Sequence, residues 1–195
     1  MEDYRKMAEA NQRRGREIIA ETQLVESWEA IGAQANLIGS LSTGLMMKKL
    51  DIDMHVYTDT LSIKESFRAA ARIASHPGIV RMEYTNLIDT EEECIEWHAA
   101  YRDRDGRMWK MDMIHIRRGS AYDGFAERMA SRIGAVLTEE TRDAILRLKY
   151  ETPDDEKIMG IEYYLAVIRD GIADYPAFVQ WRKQQPADRI IEWIP

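Results

Sequence analysis

Asp51 and Asp53 stand two residues apart in DIDMHVYT (51–58), a run that alternates strictly, with Ile52, Met54 and Val56 on one face and Asp51, Asp53 and His55 on the other. Aspartate is depleted in strands, and a pair at i and i+2 sits roughly 6–7 Å apart on one face, where the charges repel. A solvated face accounts for such a pair by itself. The residues upstream supply a second reason. Gly39-Ser40 ends a short apolar stretch, and LSTGLMMKKL after it can begin a helix whose unpaired N–H groups and dipole favour an anion. Ser40, Ser42 and Thr43 add hydroxyl donors. A phosphate cradle beside paired carboxylates suits magnesium-dependent nucleotide chemistry, in which the acids hold the cation and the cation bridges to the phosphates.

The order apolar-Gly-Ser, ten residues, then Asp-apolar-Asp-apolar (Ile38-Gly39-Ser40 to Asp51-Ile52-Asp53-Met54) resembles the signature of the nucleotidyltransferase superfamily that shares the DNA polymerase beta fold. That family carries a third carboxylate on a later strand. KMDMIHI supplies one in Asp112, with Trp109, Met111 and Met113 toward the core and Lys110 and Asp112 toward the cleft. The resemblance spans roughly residues 30 to 118. It implies an α+β fold, a small mixed or antiparallel sheet flanked by helices. It further implies that Asp51, Asp53 and Asp112 hold two Mg2+ ions and that Gly39 and Ser40 grip the triphosphate of an NTP, ATP foremost. A nucleoside monophosphate would then pass to an acceptor hydroxyl, and pyrophosphate would leave. Asp112 or a water would take the acceptor's proton. Lys48 and Lys49 lie between the motifs, where they either reach phosphate or form a solvated loop.

Around these residues, the first thirty read as helical until Gly32, and AQANLIG (33–39) reads as a first strand. Ser62 and Glu65 mark the start of a helix that HPG at 76–78 ends. IVRMEYT (79–85), CIEWHAAYRD (94–103) and RMWKMDMIHI (107–116) read as strands, the last two joined as a hairpin through RDRDG. Residues 1–118 are thus expected to form the α/β core with its N-terminal helices. Residues 119–195 are expected to form a helical subdomain packed on the sheet, with a cap at Thr138 and apolar residues Ile158, Ile161, Leu165, Ile168 and Ile172 at helical spacing. The polar face of that series, with Glu162 and Asp170, is expected to look across the cleft.

The remaining candidates have simpler explanations. His55 reads as a partly exposed strand residue, Arg13, Arg14 and Arg16 as a solvated helix face, and Arg117 and Arg118 as surface. Trp97, Trp109, Tyr163 and Tyr164 read as core before they read as stacking platforms. Cys94 and His98 lack a second pair to complete a zinc site.

A net charge of −7, from 27 Lys and Arg against 34 Asp and Glu, argues against broad nucleic-acid binding and toward a small or cationic partner. The single cysteine, the polar start and the lack of a long apolar run point to a cytoplasmic setting with no membrane span. The expected activity is nucleotidyl transfer to a small-molecule hydroxyl, of which aminoglycosides are one class. The alternatives are a protein-directed adenylyltransferase of the antitoxin type and an inactive nucleotide-binding module. The sequence carries no signal for the base or for the oligomeric state.

Overall fold

The computed structural model describes residues 3–185 and 193–195. Five strands form one mixed sheet in the order β1-β2-β5-β4-β3: β1 (Gln34–Ile38), β2 (Asp51–Thr58), β3 (Ile79–Leu87), β4 (Cys94–Arg102) and β5 (Met108–Arg117). Only β2 and β5 run parallel; the other neighbours are antiparallel. Alternation makes the sheet two-faced. Ile52, Met54, Val56, Trp97, Trp109, Met111 and Met113 are buried against Ile18, Leu24, Trp28 and Ile73. These four come from helices α1 (Tyr4–Glu21), α2 (Leu24–Glu29) and α4 (Ile63–Ala74). The opposite face carries the acids.

The expected single N-terminal helical run is broken at Gln23, whose φ of 49° is left-handed. The stretch LSTGLMMKKL forms one helical turn, α3 (Gly39–Thr43), which Gly44 ends at φ 81°. Leu45, Met46 and Met47 then leave the helix because all three are buried, Met46 in the sheet's core and the other two in a second core. That second core belongs to α5 (Phe125–Val136), α6 (Glu139–Glu151), α7 (Gly160–Tyr164) and α8 (Tyr175–Lys183), with Ala8 of α1. Residues 186–192 of the expected C-terminal unit lie outside the described residues. The expected repeat from 158 to 172 is not one regular helix. A wider π-type turn, Leu165–Arg169, follows α7 and shifts the register, so that Leu165, Ala166 and Val167 are all buried. Among the described residues no helix is long and apolar enough to cross a membrane.

The β4–β5 hairpin is fixed by buried Asp103. Its carboxylate accepts from Arg107 N at 2.9 Å, Arg107 Nε at 3.0 Å and Trp109 Nε1 at 3.0 Å. Arg14 is not on a solvated face. It is buried beside Asp103, its guanidinium 2.7 Å from Glu21 and 3.1 Å from Glu17, because a buried charge requires such partners.

Candidate active site

Register places the carboxylates. In the parallel pair β2–β5, Asp53 stands opposite Asp112, and in the β4–β5 hairpin Asp112 stands opposite His98. On the other side of β2, Ile38 of β1 faces Asp53, so the chain leaves β1 directly onto that carboxylate. Gly39 makes the exit possible. Its φ is +67°, and a Cβ there would collide with Asp53 Oδ2 and lie 2.9 Å from Asp53 Cγ. The Gly-Ser turn and the Asp-x-Asp strand are therefore in contact. Of the three hydroxyls expected to face phosphate, two turn back: Ser42 Oγ and Thr43 Oγ1 donate to Gly39 O at 2.9 and 3.2 Å. Ser40 lines the cavity above the acids.

Burial pushes the Asp53 carboxyl up to about 7, helped by the charges of Asp51 and Asp112 and opposed by Lys110 and Lys149. Asp51 is raised for the same first reason, with Lys110 offsetting part of it. Asp112 is already paired. Its Oδ2 accepts from Lys110 Nζ at 2.6 Å and its Oδ1 lies 2.6 Å from His98 Nδ1. Burial works against a charged His98, but the bond and charge of Asp112 outweigh it and raise its pKa.

Asp51 and Asp53, but not Asp112, open into a cavity of about 660 Å³, walled on one side by Gly39, Ser40, Asp51 and Asp53 and on the other by α6, α7 and the segment between them. Lys48 lines it but is held there by Thr152 O at 2.6 Å and Asp154 at 2.7 Å. Lys49 donates to Glu156 O at 3.0 Å. Sequence reasoning missed Lys149. From the last turn of α6 its ammonium enters the cavity, donating to Leu45 O at 2.9 Å and lying 5.1 Å from the Tyr164 ring centroid. No spacing links residue 149 to residue 51; only the tertiary fold does.

Glu162 and Asp170 do not look across the cleft. Glu162 accepts from Met159 N at 2.8 Å and from Arg182 Nε at 3.1 Å, capping α7 and tying it to α8. Asp170 accepts from Arg169 and from Trp181 Nε1 at 2.7 Å. Both hold helices together, and neither lines the cavity. Glu162→Gln is therefore expected to lower stability by about 1 kcal/mol while leaving the KM for any acceptor unchanged, read by thermal melts beside steady-state kinetics. Trp97, Trp109, Tyr163 and Tyr164 are buried, the two tyrosines also edging the cavity. Arg117 and Arg118 form surface ion pairs with Glu93 and Asp59. His55 is mostly covered, its Nδ1 3.2 Å from Tyr57 Oη.

The donor set suits a hard divalent cation. Asp51 and Asp53 offer carboxylate oxygens that burial, first of all, leaves poorly stabilised as anions, and Gly39 keeps the space above Asp53 free of a side chain. Among the described residues no three acidic, His or Cys side chains converge as ligands as they stand. Asp112 would join the pair on parting from Lys110.

No protein-family model matches the chain, and no curated protein matches its sequence. Solved structures do match its fold. A Cid1 poly(U) polymerase structure superposes over 80% of this chain and 49% of its own length, at TM-score 0.57 and 15% identity. The non-canonical poly(A) polymerase complex GLD-2–GLD-3 covers 86% and 58%, at 0.55 and 9%. A cytoplasmic RNA terminal U-transferase covers 86% and 49%, at 0.52 and 16%. The chain thus spans about half the length of the structures it matches. With its mixed five-stranded sheet, flanking helices and these neighbours, the chain has the nucleotidyltransferase fold shared with DNA polymerase beta.

Proposed function

We propose that the protein is a magnesium-dependent nucleotidyltransferase that moves a nucleoside monophosphate from an NTP, ATP foremost, to a hydroxyl. The observation that supports this best is the contact between Gly39 and Asp53, which puts a Gly-Ser turn, paired carboxylates and Lys149 around one cavity. Asp51 and Asp53, joined by Asp112, would hold the metal. Magnesium, when bound, supplies positive charge to the phosphates and makes the acceptor hydroxyl more acidic. Gly39 gives the triphosphate access to the backbone, Ser40 donates to it, and Lys149 offers a cation to the β- and γ-phosphates. The acceptor oxygen forms a bond to the α-phosphorus, the α–β bridging P–O bond breaks, and pyrophosphate leaves with the electron pair. Asp112, once parted from Lys110, or a water takes the hydroxyl proton. Helices α6 and α7, with the segment between them, form the second wall, which positions the reactants.

The test is a nucleotide panel with magnesium, scored for binding by calorimetry and for pyrophosphate release. One or more NTPs should bind only with the metal present, and binding of none would overturn the proposal. Lys149→Met should weaken NTP binding about tenfold, the size of one charge-assisted contact, with the fold intact by circular dichroism. The expected cationic acceptor loses its support with Glu162 and Asp170 turned away from the cavity. The RNA terminal U-transferase among the structural neighbours gives a reason to set an RNA end beside the small molecule as a candidate acceptor. Transfer to a co-purifying protein would instead favour the antitoxin-type alternative. Cys94, buried and unpaired, suits the cytoplasmic setting proposed for this chemistry.

A further inference from the structure

A second hollow, of about 530 Å³, lies on the acid-bearing face toward β3, and Asp51 lines both it and the first. One row of facing residues crosses its floor, beside the facing pair Glu83 and His98. Arg81 of β3 stands opposite Ala100 of β4, Ala100 opposite Lys110 of β5, and Lys110 opposite Asp51 of β2. Neighbouring strands lie about 4.8 Å apart, so Arg81 is roughly 10 Å from Lys110 and about 14 Å from Asp51 along the row. The small side chain of Ala100 leaves a shelf between the two cations. Both reach solvent, the Arg81 side chain 67% exposed and that of Lys110 57% exposed, although Lys110 also donates to Asp112 at 2.6 Å. The one acid beside Arg81, Glu83, stands 3.5 Å from it in an exposed pair that contributes little and yields to a stronger anion.

In-line displacement assigns the two hollows different tasks. If the β- and γ-phosphates lie over Gly39, Ser40 and Lys149, the attacking hydroxyl must approach the α-phosphorus from the opposite side, where the row from Asp51 to Arg81 runs. We propose that this row is the acceptor shelf, and that the acceptor carries a phosphate, held by Arg81, about 10–14 Å from its attacking hydroxyl. The inference rests on the nucleotidyl-transfer reading above. The terminal nucleotides of an RNA and a phosphorylated small molecule share this chemistry, whereas a polycationic acceptor would meet Arg81 and Lys110 head-on.

The experiment first establishes NTP binding with magnesium by calorimetry, then offers five acceptors: a 15-nucleotide single-stranded RNA, a 5′-phosphorylated dinucleotide, the same dinucleotide without its 5′-phosphate, an unphosphorylated nucleoside and kanamycin. The first two should be labelled in preference to the rest. Preference for the long RNA identifies an RNA end, and equal use of the first two identifies a small phosphorylated acceptor; either supports the shelf. Arg81→Ala should raise the KM of the phosphorylated acceptors about tenfold, with kcat and NTP affinity unchanged. Arg81→Lys should restore most of the loss, and Glu83→Gln should lower KM. If NTP binds but kanamycin or the unphosphorylated compounds serve as well, or if Arg81→Ala leaves KM unchanged, the shelf is wrong while nucleotidyl transfer stands. Failure of every NTP to bind overturns both.

Discussion

Asp53→Asn is expected to reduce nucleotidyl transfer by about a thousandfold while making the metal-free protein more stable at neutral pH. The two effects have one cause. Asp53 is pushed up from 3.8 to about 7 by burial, then by the charges of Asp51 and Asp112, so its ionised form is tolerated poorly until a cation arrives. Between about pH 4 and pH 7 the folded metal-free protein holds a proton on Asp53 that the unfolded chain has released. By linkage, stability from this group is full below about pH 4 and is lost as pH rises to about 7, by an amount on the order of 4 kcal/mol. Asparagine does not ionise and occupies the same volume, so this slope should flatten and the melting temperature at pH 7.5 should rise by a few degrees. Melting curves from pH 4 to 8, with and without magnesium, provide the check. In the wild type magnesium should restore stability at neutral pH, and in the variant it should restore much less. A variant that melts well below the wild type at every pH would show that the carboxylate supports the fold instead.

How much of this site can be read without coordinates depends on whether a residue is placed by local periodicity or by the meeting of distant elements. The strict alternation of 51–58 is sufficient to put Asp51 and Asp53 on one face, because a half-buried strand can bury only alternate residues. The hairpin is also legible. Once Arg102 pairs with Met108, every further pair follows by counting, and His98 falls opposite Asp112, a contact that testing His98 only as a zinc ligand does not reveal. Asp112 opposite Asp53 is harder, since a parallel pairing has no turn to fix its register. Lys149 and Arg81 lie beyond local reasoning altogether. Each reaches its cavity only because α6 and β3 are packed where they are. The wrong expectations share one physical origin. Arg14 is expected on a solvated face, and Glu162 and Asp170 across the cleft, because charged residues usually meet water or a ligand, yet each neutralises or caps a specific partner that sequence spacing does not reveal.

Gly39→Val is expected to abolish NTP binding and to destabilise the fold, and a double-mutant cycle with Asp53 separates the two causes. One cause lies in the backbone. At φ +67° a β-branched residue clashes with its own peptide, a strain of about 1–2 kcal/mol or more that does not depend on Asp53. The other is the collision of the new side chain with the Asp53 carboxylate, which must swing aside and so lose its place beside Asp51. Shortening Asp53 to alanine removes the oxygen and carbon that a Cβ at 39 would strike and leaves only the Asp53 Cβ at 3.1 Å. The Gly39→Val penalty should therefore be smaller in an Asp53→Ala background, by about 1–2 kcal/mol of coupling in thermal or urea melts. Full additivity would mean that the strain is all backbone and that the Gly-Ser turn does not rest on the carboxylate. Binding gives the second readout. Ser40→Ala, which removes a single hydroxyl, should weaken NTP affinity by about 1 kcal/mol, whereas Gly39→Val should lower it beyond detection by calorimetry even where the protein remains folded. A Gly39→Val protein that binds NTP like the wild type would show that the triphosphate does not lie against this turn, and Lys149 would then have no phosphate to meet.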